Sequence, residues 1–115
     1  MIGAAIEVHR ELGPGFLEQT YEQALCIELA NRGVAAEQQL VIPILYKSHR
    51  LSDARLDLLL DDELVVEIKA VETLLPIHRA QLISYLKAGA FQLGLLINFN
   101  VQLLKDGICR VIWNS

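Results

Sequence analysis

Two apolar runs, Leu51 to Leu60 and Leu64 to Ala70, are separated only by Asp61-Asp62-Glu63, and this pattern constrains the fold more than any other in the chain. Side chains alternate faces along a strand, and direct cross-strand partners share a face. If the three acids form the turn, Leu60 opposes Leu64, Asp57 opposes Glu67 and Arg55 opposes Lys69. One face then carries Arg55, Asp57, Glu67 and Lys69. The other carries Leu56, Leu58, Leu60, Leu64, Val66, Ile68 and Ala70 without a break. A two-residue turn at Asp61-Asp62 would slip the register by one and send Asp57 and Glu67 to opposite faces, so the three-residue connection is a specific expectation.

Two carboxylates and an ammonium gathered on an apolar hairpin have a chemical use. Phosphodiester hydrolysis calls for a hard divalent cation that polarises the phosphoryl oxygen and lowers the pKa of an attacking water. Magnesium takes one or two carboxylates together with waters and phosphate oxygens. Asp57 and Glu67, as cross-strand neighbours with Cβ atoms about 5 Å apart, suit Mg2+ or Mn2+. Lys69 then stands where it would orient the water or offset charge developing on the phosphate. The plain reading of the same face is a solvated set of ion pairs worth roughly 0 to 1 kcal/mol each.

Elsewhere, Ile2, Ala5, Ile6, His9 and Leu12 recur at helical spacing and stop at Gly13-Pro14-Gly15. A second helix is predicted from Phe16 to Arg32, with Leu17, Tyr21, Leu25 and Leu29 as its stripe and Gly33 as its stop. A strand around Gln39 to Tyr46 contains Pro43, which points to an edge or a bulge. Pro76 suits the first turn of a third helix ending near Gly89. On it Leu82, Ile83 and Leu86 face one way, and His78, Gln81 and Tyr85 another. Phe91 to Phe99 reads as a strand buried on both faces, and Ile108 to Trp113 as a last strand after an Asp106-Gly107 turn. The order predicts an α/β sandwich: a three-stranded antiparallel meander, a crossover helix and further strands in a mixed central sheet flanked by helices.

A chain of 115 residues makes one domain, 1–115, with room for a real core. Its formal charge of −4 argues against a broad electrostatic grip on nucleic acid. Six of the ten cations lie between Lys47 and Lys87, which leaves room for a local contact even though seven acids share the segment. Cys26 and Cys109 lack metal-type spacing, and no apolar run approaches the roughly 20 residues that span a bilayer. A reduced cytoplasmic protein without a membrane partner is expected.

Gly15-Phe16-Leu17-Glu18-Gln19-Thr20-Tyr21 fits the signature of the GxxExxY proteins, a bacterial and archaeal group assigned to the PD-(D/E)XK nuclease superfamily. The resemblance runs over essentially the whole chain: Ile2 to Tyr21, Pro43-Ile44-Leu45-Tyr46, Arg55 to Leu59, Val66 to Val71, His78 to Lys87 and Leu96 to Phe99. It implies a restriction-endonuclease-like core and a Mg2+- or Mn2+-dependent nuclease acting on nucleic acid, DNA before RNA. Asp57 resembles the first metal-binding carboxylate, and Glu67 and Lys69 resemble the (D/E)XK pair, with the Ile68 carbonyl as a further metal ligand. Gln81 and Tyr85 are similar to the Q-x-x-x-Y element of RecB-like nucleases. Glu18 resembles the helix-borne acid that orients a metal-bound water or assists a second ion. Arg55, His78 and Tyr85 are expected beside the substrate. Leu56 departs from the superfamily name, which has proline there. The resemblance also implies that the chain begins inside its first helix, with a few family residues expected ahead of Met1. A catalytically silent nucleic-acid-binding or scaffolding module is the alternative, and a homodimer through the Ile2 to Leu12 stripe is compatible with either.

Overall fold

The computed structural model describes residues 1–114. Helices α1 (Ile2–Leu12) and α2 (Glu18–Asn31) precede strands β1 (Ala36–Tyr46), β2 (His49–Leu60) and β3 (Leu64–Lys69). Helix α3 (Pro76–Gly89) then leads to β4 (Leu93–Asn98), and a 3-10 turn, Leu104–Gly107, to β5 (Ile108–Ile112). The sheet runs β1-β2-β3-β4-β5, with β3 and β4 parallel and the other neighbours antiparallel. A parallel pair requires a crossover connection, and α3 supplies it.

Both faces of the sheet are covered. Helices α1 and α2 pack through Ala4, Ala5, Tyr21, Leu25 and Leu29 onto Leu58, Leu60, Val66, Ile68, Leu95 and Ile97. Helix α3 packs through Leu82 and Leu86 onto Leu59, Val65 and Leu96. Alternate residues of β3 and β4 thus enter different layers, which explains their continuous apolar runs.

The β2–β3 register is the expected one: Leu60 opposes Leu64, Leu59 opposes Val65 and Leu58 opposes Val66. Asp61 and Asp62 take positive φ (51° and 57°), and the Glu63 N–H closes on the Leu60 carbonyl at 2.9 Å. Aspartate tolerates this left-handed geometry better than most residues.

The single apolar face inferred from parity needs one correction. Leu56 packs with Ala54 in the α3 layer, whereas Leu58 and Leu60 enter the α1/α2 layer. The same reversal occurs on β1, where Ala36 touches the α1/α2 layer but Leu40, Ile42 and Ile44 touch α3. Between them lies Gln39, with φ of 53°. Gln38 pairs with Leu58 and Leu40 with Leu56, so Gln39 and Asp57 mark the same switch on both strands. A left-handed residue inside a strand reverses its alternation and sharpens its twist, as a bulge does.

Smaller differences lie at the element ends. Helix α2 begins at Glu18, with Leu17 as its N-cap and 76% exposed, so Leu17 leaves the predicted stripe while Tyr21, Leu25 and Leu29 are fully buried. Strands β1 and β2 start earlier than predicted and join through Lys47-Ser48, both at positive φ, a two-residue turn that matches strand twist. Pro43 does lie on an edge strand. The 3-10 turn replaces the simple Asp106-Gly107 turn, and a Cβ on Gly107 would lie 2.1 Å from the Asn98 carbonyl oxygen, so only glycine fits. Both cysteines are free. Among the described residues, no helix is long and apolar enough to cross a membrane.

Candidate active site

The ladder between β2 and β3 ends at Leu58 and Val66. Beyond it, β3 stays with β4, pairing Glu67 with Leu96 and Lys69 with Asn98, while β2 stays with β1 through its switch. The strands fork, and side chains take over the backbone pairing in the gap. Glu67 Oε1 accepts the Asp57 N–H at 3.1 Å, and Asp57 Oδ2 accepts the Ile68 N–H at 2.8 Å. Asp57 and Glu67 therefore meet across the hairpin by carboxylate-to-amide bonds instead of a backbone pair. Arg55 does not oppose Lys69. It pairs with Val41 of β1, is exposed, and has no hydrogen bond or ion pair to the carboxylates among the described residues.

Helices α2 and α3 each send a polar side chain to the fork. Glu18 Oε2 accepts the Ala70 N–H at 3.2 Å. Its position follows from the loop before it: Gly15 adopts φ of 110°, and the buried Tyr21 donates its hydroxyl to the Gly13 carbonyl at 2.5 Å and accepts the Phe16 N–H at 3.1 Å. Tyr21 also stacks on Phe99 with ring centroids 4.6 Å apart, which ties the loop to the core. An acid at a helix start is favoured by the dipole as well. From α3, Gln81 Oε1 accepts Lys69 Nζ at 3.5 Å, and Gln81 Nε2 donates to the Tyr85 hydroxyl at 3.0 Å. His78 is used differently: its Nδ1 accepts the Leu75 N–H at 3.0 Å and caps α3.

A family model of the PD-(D/E)XK nuclease superfamily matches residues 1–111. The chain belongs to that superfamily. No curated protein and no solved structure matches it. Nucleases of the PD-(D/E)XK superfamily act on nucleic acid and generally depend on a divalent metal.

The electrostatics of the fork are those of carboxyl groups crowded together with few cations beside them. Glu67 is only 6% exposed, and burial followed by the facing Asp57 carboxylate pushes its pKa up to about 8. Burial also raises Asp57, against the Ile68 N–H and Gln39, which lower it. Tyr85 is raised by burial and then by Glu67. Among the described residues no three His, Cys, Asp or Glu side chains gather as a ready-made metal cluster. The donors at the fork are two carboxylates flanking the Ile68 main chain, with no imidazole or thiolate. Such an all-oxygen set suits a hard divalent cation.

Three residues escaped the sequence reading. Gln39 Nε2 bonds Glu22 Oε1 at 2.9 Å and Asp57 Oδ1 at 3.5 Å, joining α2 to the switch. Glu22 lies one turn beyond Glu18, a spacing that signals a shared helix face. With Glu18, Gln19 and Asp57 these two line a polar cavity of about 390 Å³. Asn98, 2% exposed, accepts the Val71 N–H at 3.0 Å and donates to the Val71 carbonyl at 2.9 Å, fixing the exit of β3 behind Lys69. No local sequence signal marks Gln39, because its role depends on an unusual φ.

Proposed function

We propose that this chain is a GxxExxY-type nuclease that hydrolyses a phosphodiester bond of DNA by water attack with Mg2+ or Mn2+. The observation that supports this reading best is the fork: two raised carboxylates, Asp57 and Glu67, face one another with an ammonium beside them and, among the described residues, no guanidinium paired to them. Asp57, Glu67 and the Ile68 carbonyl are the residues that would hold the ion. When bound, the metal supplies Lewis-acid polarisation and a more acidic water. Lys69, held by Gln81, offsets charge that grows on the phosphate in the transition state. Glu18, from the opposite wall, accepts a proton from or orients the attacking water. Tyr85 steadies Gln81.

A silent binding or scaffolding module is the second reading, and one observation favours it. Each carboxylate already satisfies a backbone N–H, so both have a structural use at the end of the ladder. The two are separated by a nuclease assay on single- and double-stranded DNA and RNA with Mg2+, Mn2+ and EDTA. We expect cleavage that EDTA and Asp57→Ala both abolish. Cleavage unaffected by either would remove these residues from catalysis, and binding without cleavage under every metal condition would select the silent module.

A further inference from the structure

Beyond the switch at Gln39 and Asp57, β1 and β2 continue as a two-stranded arm whose two faces are unlike. Leu40, Ile42, Ile44, Ala54 and Leu56 face α3. The register pairs Val41 with Arg55, Pro43 with Asp53 and Leu45 with Arg50, and partners share a face, so these six residues form the other side. Val41 is 42% and Leu45 58% exposed. That free face runs straight into the carboxylate fork. At about 3.3 Å per residue, Arg55 lies about 7 Å and Arg50 about 23 Å along β2 from Asp57.

We infer that the free face of this arm is a docking track for an unpaired DNA strand whose phosphodiester enters the fork. Charge complementarity carries the choice: from Leu40 to Leu56 the chain has three cations, Lys47, Arg50 and Arg55, against one acid, Asp53, while the whole molecule is at −4. Asp53 is itself engaged by Arg50, whose Nε and Nη2 share Oδ1 at 2.9 and 2.5 Å, leaving Nη1 for a phosphate. The aliphatic strip between the arginines decides strand number. A duplex shows the protein only phosphates and groove edges, whereas an unpaired strand offers base faces that pack on Val41 and Leu45. On this face the arginines meet phosphates and Asp53 is engaged by Arg50, which leaves no side chain dedicated to a 2′-hydroxyl, so DNA is the occupant.

The test rests on the nuclease reading only for where the strand ends, because binding is measured in EDTA, where no cleavage is read. Fluorescence anisotropy with a 20-nucleotide mixed-sequence DNA strand compares wild type, Arg50→Ala/Arg55→Ala, Arg50→Lys/Arg55→Lys and Leu45→Ser. We expect the double alanine variant to bind roughly tenfold more weakly, with the salt slope of log K reduced by about 1.4. The lysine pair should retain most affinity, and Leu45→Ser should weaken binding at an unchanged salt slope. Wild-type affinity in the double alanine variant, or duplex or RNA bound as tightly as the DNA strand, overturns the track. So does a concentration-dependent dimer that Leu45→Ser abolishes, which assigns the face to a second copy. A track that binds DNA while no metal supports cleavage leaves the docking surface standing and removes the nuclease reading.

Discussion

The two ends of the β2–β3 hairpin are built from opposite materials. At the closed end, Leu58, Leu59, Leu60, Val65 and Val66 are buried, and the backbone ladder is continuous. At the open end, one position beyond Leu58 and Val66, the backbone pairing stops and carboxylates of Asp57 and Glu67 satisfy the amides instead. Apolar burial is non-directional and tolerates nothing but filling, so the closed end stabilises the fold. Carboxyl groups crowded where the strands diverge cost stability once ionised and offer oxygen donors. The lesson is that a few residues of one hairpin separate the work of holding the sheet from the work of the site.

The largest expected effect breaks that comparison if it fails. In the presence of Mg2+ or Mn2+, Lys69→Ala should lower the single-turnover cleavage rate by about 10² to 10³-fold, the range for loss of one transition-state charge contact. Calorimetry should find its metal affinity near wild type, since the ammonium bears on charge that develops during the reaction. Unchanged cleavage by this variant returns Lys69 to an ordinary ion-pair role.

At the closed end the readout is stability. Leu58→Ala deletes a fully buried side chain between sheet and helices and should cost about 2 to 5 kcal/mol in urea unfolding. Asp57→Asn should cost far less in the metal-free protein, because relief of carboxylate repulsion offsets a weakened bond to the Ile68 N–H. If Asp57→Asn destabilises as much as Leu58→Ala, the open end is structural after all.

The pH dependence sharpens the contrast further. Glu67 is raised from an ordinary carboxylate value to about 8 in the fold. Between these values the folded protein binds more protons than the unfolded chain, so the contribution is present below about 4.5 and is lost as pH rises through 8. Metal-free protein should therefore lose on the order of a few kcal/mol between pH 5 and about 8.5. Glu67→Gln should flatten that profile, and saturating metal should do the same for wild type. Identical profiles for wild type and Glu67→Gln would show that the carboxyl is not held neutral by its surroundings.

The smallest effect concerns the walls of the fork. Gln81 is exposed and touches Lys69 and Tyr85, not the core. Gln81→Ala should slow cleavage by roughly tenfold and change unfolding free energy by less than about 0.5 kcal/mol. Loss of fold without a separable effect on cleavage would make the Q-x-x-x-Y spacing coincidental.

Much of this was legible locally. Alternation and the three-acid turn determined the hairpin register, helical periodicity selected Tyr21, Leu25 and Leu29 and separated Leu82 and Leu86 from Gln81, although Tyr85 also packs against their cluster, and Pro43 marked an edge strand. These are consequences of backbone period and turn chemistry, which depend on near neighbours in sequence. The tertiary structure alone decided that alternation reverses at Gln39 and Asp57, because both layers must be filled while the strands twist apart, and Gln39 has no intrinsic preference for a positive φ. It therefore decided that Leu56 packs under α3, that Arg55 leaves Lys69 for the free arm, and that Glu22 and Gln39 join the fork. Those placements depend on which element covers which face, a condition that no window of sequence contains.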